Sequence, residues 1–348
     1  MSHLITLDEI KAAQRRLAGV AVRTGLHRVE TERLQAAGVE ELPFALYIKA
    51  ESEQPIGSFK LRGAYNRVAQ LSTEELGRGV ITYSSGNHGQ GVAYAARALG
   101  AKAVIVMPEN APEVKIEATR ALGAEVVFVG PSSSARKARA EELAAANGYT
   151  VIPPYDDPAI IAGQGTCGLE IVEQLGELAG GVVILSPVSG GGLLSGIATA
   201  VKLAAPGAAV QVWGAEPELA ADAKESFDTK TLVEWPAAKT TRTISDGLRT
   251  QSVGVLNFER ILRFVDGIVT VSEDEILAAM RVMLAATGLV AEPSGAVTLA
   301  AALFHHGELP RCERMVAVLS GGNIEPELRR ELDAGTATVA SAQGRVGV

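Results

Sequence analysis

The chain has 348 residues, too many for one small core and enough for two packed lobes. Apolar residues make up 47% and charged residues 21%, the composition of an ordinary soluble globular protein. A net charge of −8 argues against nucleic acid or an anionic membrane as the main partner, although it says little about any single pocket.

The N-terminal stretch MSHLITLDEIKAAQRRL carries charges throughout, so it reads as an amphipathic helix and not as a signal peptide. Thr6 followed by Glu9 forms a capping box at its start. A strand is expected at FALYIKAE (44–51), after which apolar runs alternate with helical patterns. The runs are GVITYS (79–84), AKAVIVMP (101–108), AEVVFVG (124–130) and YTVIPP (149–154). They continue with GVVILSPVSG (181–190), AAVQVWGAEP (208–217), VDGIVTVS (265–272) and RMVAVLSGGN (314–323). This alternation is the sequence form of βαβ units and a parallel sheet. Polar and flexible residues collect at the strand C-termini, the edge where open α/β sheets bind ligands. Segment 226–246 has weak periodicity and is expected to be a surface excursion. The tail after Asn323 is too short for a separate regulatory domain. No apolar run is long enough to cross a bilayer. Cys167 and Cys312 form no CxxC pair, so neither a disulfide framework nor a structural zinc site is indicated. A reducing, cytoplasmic compartment is the expectation.

Four Gly/Ser-rich turns could carry chemistry: GSFKLRGAYN (57–66), SSGNHGQG (84–91), VSGGGLLSG (188–196) and LSGGN (319–323). In VSGGGLLSG, consecutive glycines let backbone N–H groups converge ahead of a helix N-terminus, the physics of a phosphate cradle. The same turn resembles a dinucleotide fingerprint, with Glu216 at the end of the next strand as ribose acid, or a plain tight turn. The dinucleotide reading leaves the other three turns unexplained. Lys60 lies between Phe59 and Leu61 in a chain that prefers arginine for its surface charge. Burial would favour the neutral amine that a Schiff base needs, whereas a snorkelling lysine at a helix start is the plainer reading.

SFKLRGA, SSGNHGQG, IAGQGT (161–166), SGGGLLSG and SGGN, in this order and spacing, resemble the β-family (fold-type II) pyridoxal-phosphate (PLP) enzymes. Within these the chain resembles the threonine/serine dehydratase and serine racemase group, from about residue 4 to 330. The resemblance implies an α/β fold of two open-sheet domains, like tryptophan synthase β, with PLP in the cleft between them. The expected division is a small mobile domain at 79–156 and a large domain formed by 1–78 and 157–348. It further implies that Lys60 carries the cofactor and later removes the substrate Cα proton. Phe59 would stack on the pyridine ring and Asn87 would bond its phenolic oxygen. Ser189, Gly190, Gly191 and Gly192 would hold the phosphate. Ser84, Ser85, Asn87 and His88 would receive the substrate carboxylate, with a backbone-bonded loop histidine as the alternative for His88. Ser320 would face the pyridine nitrogen, and a hydroxyl there is too weak an acid to keep that nitrogen protonated. The ring is then a poorer electron sink, which favours expulsion of a β-hydroxyl over transamination.

In the racemase-like branch the pattern Glu-Pro-x-x-Ala-x-Asp binds a divalent cation. Here it maps onto Glu216, the carbonyl of Ala220, and Asp222, a set of hard oxygens suited to Mg²⁺, Ca²⁺ or Mn²⁺. A solvated acidic helix start is the alternative. RTGLH (23–27) replaces the serines of the racemase-like ATP site, so nucleotide activation is not expected. PPYDDP (153–158) resembles bacterial threonine dehydratases, whereas Arg136 matches the racemase and hydroxyaspartate branch, where it can meet a second carboxylate. Asp156 and Asp157 are expected near the same pocket. The expected function is a threonine/serine ammonia-lyase acting on a small amino acid, assembled as a homodimer. A serine racemase and a 3-hydroxyaspartate ammonia-lyase are its near alternatives. An NAD(P)-dependent oxidoreductase and a non-enzymatic ligand-binding regulator are the distant ones. Ser85, facing the substrate from the side opposite Lys60, would permit racemisation by returning a proton there.

Overall fold

The structure is a computed structural model that describes residues 4–343, except 85, 110, 112, 131 and 132. Ten strands are present among the described residues: β1 (Leu26–Arg28), β2 (Ala45–Ala50), β3 (Val80–Tyr83), β4 (Ala103–Pro108), β5 (Glu125–Val129), β6 (Thr150–Val151), β7 (Val182–Pro187), β8 (Val210–Pro217), β9 (Gly267–Val271) and β10 (Arg314–Leu319). They form two sheets. The larger runs β1-β2-β10-β7-β8-β9 and is parallel except for the β1–β2 pair. The smaller runs β5-β4-β3-β6 and is parallel throughout.

The central strands β7 and β4 are buried along their whole length, which is why they read as unbroken apolar runs and not as alternations. Helices Glu273–Thr287 and Pro293–Phe304 cover one face of the large sheet. Helices Pro158–Leu175, Gly192–Ala204 and Val255–Phe264 cover the other. In the small sheet, β3 and β4 pack on one side against Lys60–Val68 and Asn87–Ala98, and on the other against Ser133–Asn147.

Three helices meet at glycines, and this gives the IAGQGT motif a physical role. A Cβ on Gly163 would stand 2.6 Å from the Arg62 carbonyl oxygen, and one on Gly196 would stand 2.6 Å from that of Ile161. Only glycine lets Lys60–Val68, Pro158–Leu175 and Gly192–Ala204 approach this closely. Arg62 fixes the same junction electrostatically. Its guanidinium donates to Glu51 (2.7 and 2.8 Å) and to Glu170 (2.7 and 2.9 Å), and Lys49 Nζ donates to Glu170 at 2.6 Å. All four charges are buried, and two acids balance two bases. Burial works against the charged forms, but the Arg62 charge prevails and keeps Glu51 below its ordinary range.

All nine strands expected from the sequence are present, and Thr6 and Glu9 form the capping box. The short antiparallel β1 was not expected. Segment 226–246 is only partly a surface excursion: it contains the end of helix Asp222–Thr229 and helix Ala237–Thr240, and then buries Thr240, Thr243, Ile244 and Ser245. After residue 323, Leu328, Leu332, Ala337 and Ala342 join the core under β2 and β10.

Candidate active site

Lys60 opens a helix at the C-terminal edge of the large sheet. Ser58 bridges to Gly321, and Phe59 N–H donates to the Ser320 carbonyl at 3.0 Å, which fixes Lys60 beside the end of β10. Its Nζ donates to the Pro154 carbonyl at 2.8 Å and lies 5.2 Å from the Phe59 ring centroid. Burial pulls its amine down to about 8. Ser320 is itself buried, with Oγ 3.4 Å from the Ser294 carbonyl.

The Ser189–Gly192 turn follows β7 and leads into helix Gly192–Ala204, so its amides converge at a helix N-terminus. Gly191 has φ 87°, the left-handed conformation that favours glycine. A Cβ on Gly190 would fall 2.3 Å from ring carbons of Tyr155. Ser189 Oγ lies 3.1 Å from Thr250 Oγ1. The result is a turn of converging backbone N–H groups suited to an anion, with the Tyr155 ring packed on Gly190.

Asn87 and His88 begin the helix after β3. Asn87 Nδ2 donates to Glu292 at 2.6 Å, and Asn323 Nδ2 donates to Asn87 Oδ1 at 2.7 Å, joining two of the sequence motifs directly. Burial, reinforced by the Asp246 charge, pushes Glu292 up to about 8. His88 is held against the Ile152 carbonyl at 3.1 Å; burial and the Lys60 charge push it down to about 3. It is therefore neutral, and its Nε2–H is committed to the backbone. Ser84 Oγ accepts from Gly86 N–H at 3.3 Å. Ser85 lies outside the described residues.

Arg136 sits half-buried in helix Ser133–Asn147, and burial lowers its pKa. The two aspartates expected beside it make helix caps. Asp156 accepts backbone N–H groups of Val255 and Leu256 at 3.1 and 2.9 Å, capping one helix. Asp157 caps helix Pro158–Leu175 and pairs with Arg67 at 3.1 Å.

At the end of β8, Glu216 accepts from the Ala223 and Lys224 amides at 3.2 and 3.0 Å. Asp222 Oδ2 is buried without a hydrogen-bond partner among the described residues. Burial raises both carboxyls, Asp222 to about 7, and the Asp222 charge adds to the rise at Glu216. Ala220 is buried in the turn between them. An orphaned carboxylate oxygen beside a second acid fits a hard cation. Among the described residues no group of three or more His, Cys, Asp or Glu gathers, so carbonyls and water would have to complete its shell.

Sequence reasoning did not single out Tyr155, Glu292, Asn257, Lys115 or Asp246. Lys115, in helix Glu113–Ala121, pairs with Asp246 near Glu292. Each is remote in sequence from its partner, and only Asn257 gave a signal, as a polar residue on the buried face of an amphipathic helix.

Residues 22–321 match the family described as pyridoxal-phosphate dependent enzyme. The L-threo-3-hydroxyaspartate ammonia-lyase of Saccharomyces cerevisiae is 39% identical over 82% of this chain and 85% of its own length. The serine racemase of Schizosaccharomyces pombe is 37% identical over 93% of this chain and 96% of its own. Among solved structures, a threonine deaminase from T.th. superposes with a TM-score of 0.83 at 43% identity, over 92% of this chain and 99% of that one.

Proposed function

The chain belongs to the pyridoxal-phosphate dependent enzymes, and from that premise we propose an ammonia-lyase that removes water from L-threonine and L-serine. The observation that carries the reading is the Lys60 amine, pulled down to about 8 by burial and held on the Pro154 carbonyl, next in the chain to the Tyr155 ring that packs on Gly190.

These residues fit the cofactor. Lys60 would hold its aldehyde carbon, Ser189 to Gly192 its phosphate, Phe59 a face of its ring, and Asn87 and Ser320 the ring's polar atoms. Asn87 Nδ2 keeps a second hydrogen beyond the one given to Glu292. When bound, PLP supplies a sink for the electron pair left at Cα. Lys60 Nζ takes the Cα proton, and that basicity requires the amine to be neutral, the state its burial favours. Ser320 offers a neutral hydroxyl, which leaves the sink weak and favours loss of the β-hydroxyl as water. The released enamine hydrolyses to a 2-oxo acid and ammonia. His88, neutral and bound to Ile152, would shape the loop that receives the substrate carboxylate, with Ser84 and Ser85 as hydroxyl donors.

A second reading has an observation in its favour. The Arg136 guanidinium would prefer a β-carboxylate, and the carboxylates of Asp156 and Asp157 are turned toward backbone N–H groups as helix caps. This supports 3-hydroxyaspartate as the rival substrate. Serine racemisation through Ser85 is the other alternative. We further propose a divalent cation at Glu216 and Asp222, closure of a small domain (79–156) onto the remainder, a homodimer, and a cytoplasmic location.

Ammonia release across L-threonine, L-serine and both hydroxyaspartates tests the substrate. L-threonine or L-serine should be fastest, with slower D-serine formation. If 3-hydroxyaspartate is far better than both and Arg136→Ala removes that advantage, the second reading replaces the first.

A further inference from the structure

Asn257 touches neither the lysine nor the anion cradle face, yet it joins the two. It is fully buried in helix Val255–Phe264. Its Nδ2 donates to the Gly190 carbonyl at 2.9 Å and to the Tyr155 carbonyl at 3.2 Å. Its Oδ1 accepts from Ser195 Oγ at 2.6 Å, and Ser195 is buried in the first turn of the helix behind the cradle. Gly191 packs so closely that an added Cβ would stand 2.9 Å from Asn257 Cβ. Gly254 N–H donates a second bond to the Gly190 carbonyl at 3.1 Å.

The Tyr155 carbonyl lies one residue beyond the Pro154 carbonyl that receives Lys60 Nζ. Asp156, next in the chain, is fastened to the same helix start as Asn257. A primary amide suits this position because it presents two donor hydrogens and an acceptor in one plane. Leucine would offer none of these, and aspartate would turn lone pairs toward two carbonyl oxygens.

We propose that Asn257 is a positioning residue that holds the phosphate cradle in register with the Pro154–Tyr155 segment that receives Lys60, so that both ends of the cofactor are gripped together. The inference rests on the family's cofactor and not on the choice of substrate.

The test compares wild type with Asn257→Leu, which removes the donors without adding charge. Two quantities are read: the rate at which holoenzyme loses PLP on dialysis, and the pH midpoint for acylation of Lys60 in the full chain stripped of cofactor. Removing the side-chain donor from both carbonyls, and with it the link between the two segments, should speed PLP loss by about tenfold. The Lys60 midpoint should fall, because the Pro154 carbonyl no longer favours the ammonium. Faster PLP loss with an unmoved Lys60 midpoint would reduce Asn257 to a brace for the loop alone and overturn the proposal; so would no change in either. If Asn257→Leu does not fold, Ser195→Ala decides, since it only frees the amide from its guide. It should move both readouts in the same directions by about twofold to fivefold, and movement of neither overturns the idea. A wild type that retains no PLP overturns the proposed function itself, an outcome the variants cannot mimic.

Discussion

At the scale of single residues, the site divides by how local its signals are. Lys60 and the glycines of 189–192 were legible because their chemistry needs particular residue types within a few positions of one another. Asn87 was legible as a motif member, but its bonds to Glu292 and Asn323, more than two hundred residues away, were not. The helix caps made by Asp156 and Asp157 were not foreseen, although helix N-termini offer aspartates unpaired N–H groups. Lys60 gives the sharpest prediction. In protein freed of cofactor, acylation of Lys60 should rise with pH about a midpoint near 8, whereas an ordinary lysine keeps its proton to about 10.5. Below that midpoint the amine is protonated and inert, and above it free and reactive. Peptide mapping after labelling at a series of pH values checks this; a midpoint at the ordinary value would mean that the amine is not desolvated. Lys60→Ala should abolish the visible absorption band and lower turnover by several orders of magnitude. In wild type, borohydride should attach the cofactor mass to the Lys60 peptide and to no other.

At the scale of elements, the strand rhythm was readable because buried parallel strands are short, apolar and closed by polar turns. β1 escaped notice because three half-exposed residues carry no such pattern. The buried end of segment 226–246 escaped because most of its buried side chains are polar, as in Thr240 donating to the Arg249 carbonyl, and only Ile244 packs in the apolar core. The junction of Lys60–Val68 with Pro158–Leu175 rests on the Arg62 network. Glu51→Gln would remove one charge and leave Arg62 under-compensated, with an expected loss of about 3 to 5 kcal/mol. Urea denaturation measures it, and a change near zero would show that the network adds nothing to this junction. The turn from Glu216 to Asp222 gives a separate prediction. Mg²⁺ should raise the melting temperature of wild type and chelation should lower it, while Asp222→Ala should respond to neither. A wild type indifferent to both would remove the cation from the proposal.

At the scale of the whole molecule, contacts between residues far apart in the chain gather beside the site. Lys60 reaches across to Pro154, Asn87 to Glu292, and Lys115 to Asp246. Burial opposes charge on Lys115, but Asp246 prevails and raises its pKa, and the reverse attraction lowers Asp246. Lys115→Met would leave Asp246 buried beside Glu292 without its cation. Substrate affinity should then fall, because the ion pair that ties helix Glu113–Ala121 to the Asp246 turn beside Glu292 is lost, whereas the visible absorption band of bound PLP should persist. Equal loss of band and affinity would instead indicate a general collapse. The fold class was evident from the alternation of elements, but these crossings were not, since each joins residues that the chain separates widely.

The small sheet begins at β3 and ends at β6, and these two strands lie side by side, with Val80 opposite Thr150. The chain therefore leaves the large sheet and returns to it at almost the same point, as an insertion does. Arg136 and the 84–88 loop belong to that insertion, whereas Lys60, the phosphate cradle and Ser320 stay outside it. On the roles proposed above, most of the selectivity residues and most of the cofactor contacts would lie on separable stretches of gene, with Asn87 shared by both. A chimaera that receives residues 80–151 from the hydroxyaspartate relative should keep its cofactor and exchange its substrate preference. That modularity gives one route by which lyases and racemases of this kind could diversify without rebuilding the machinery they have in common.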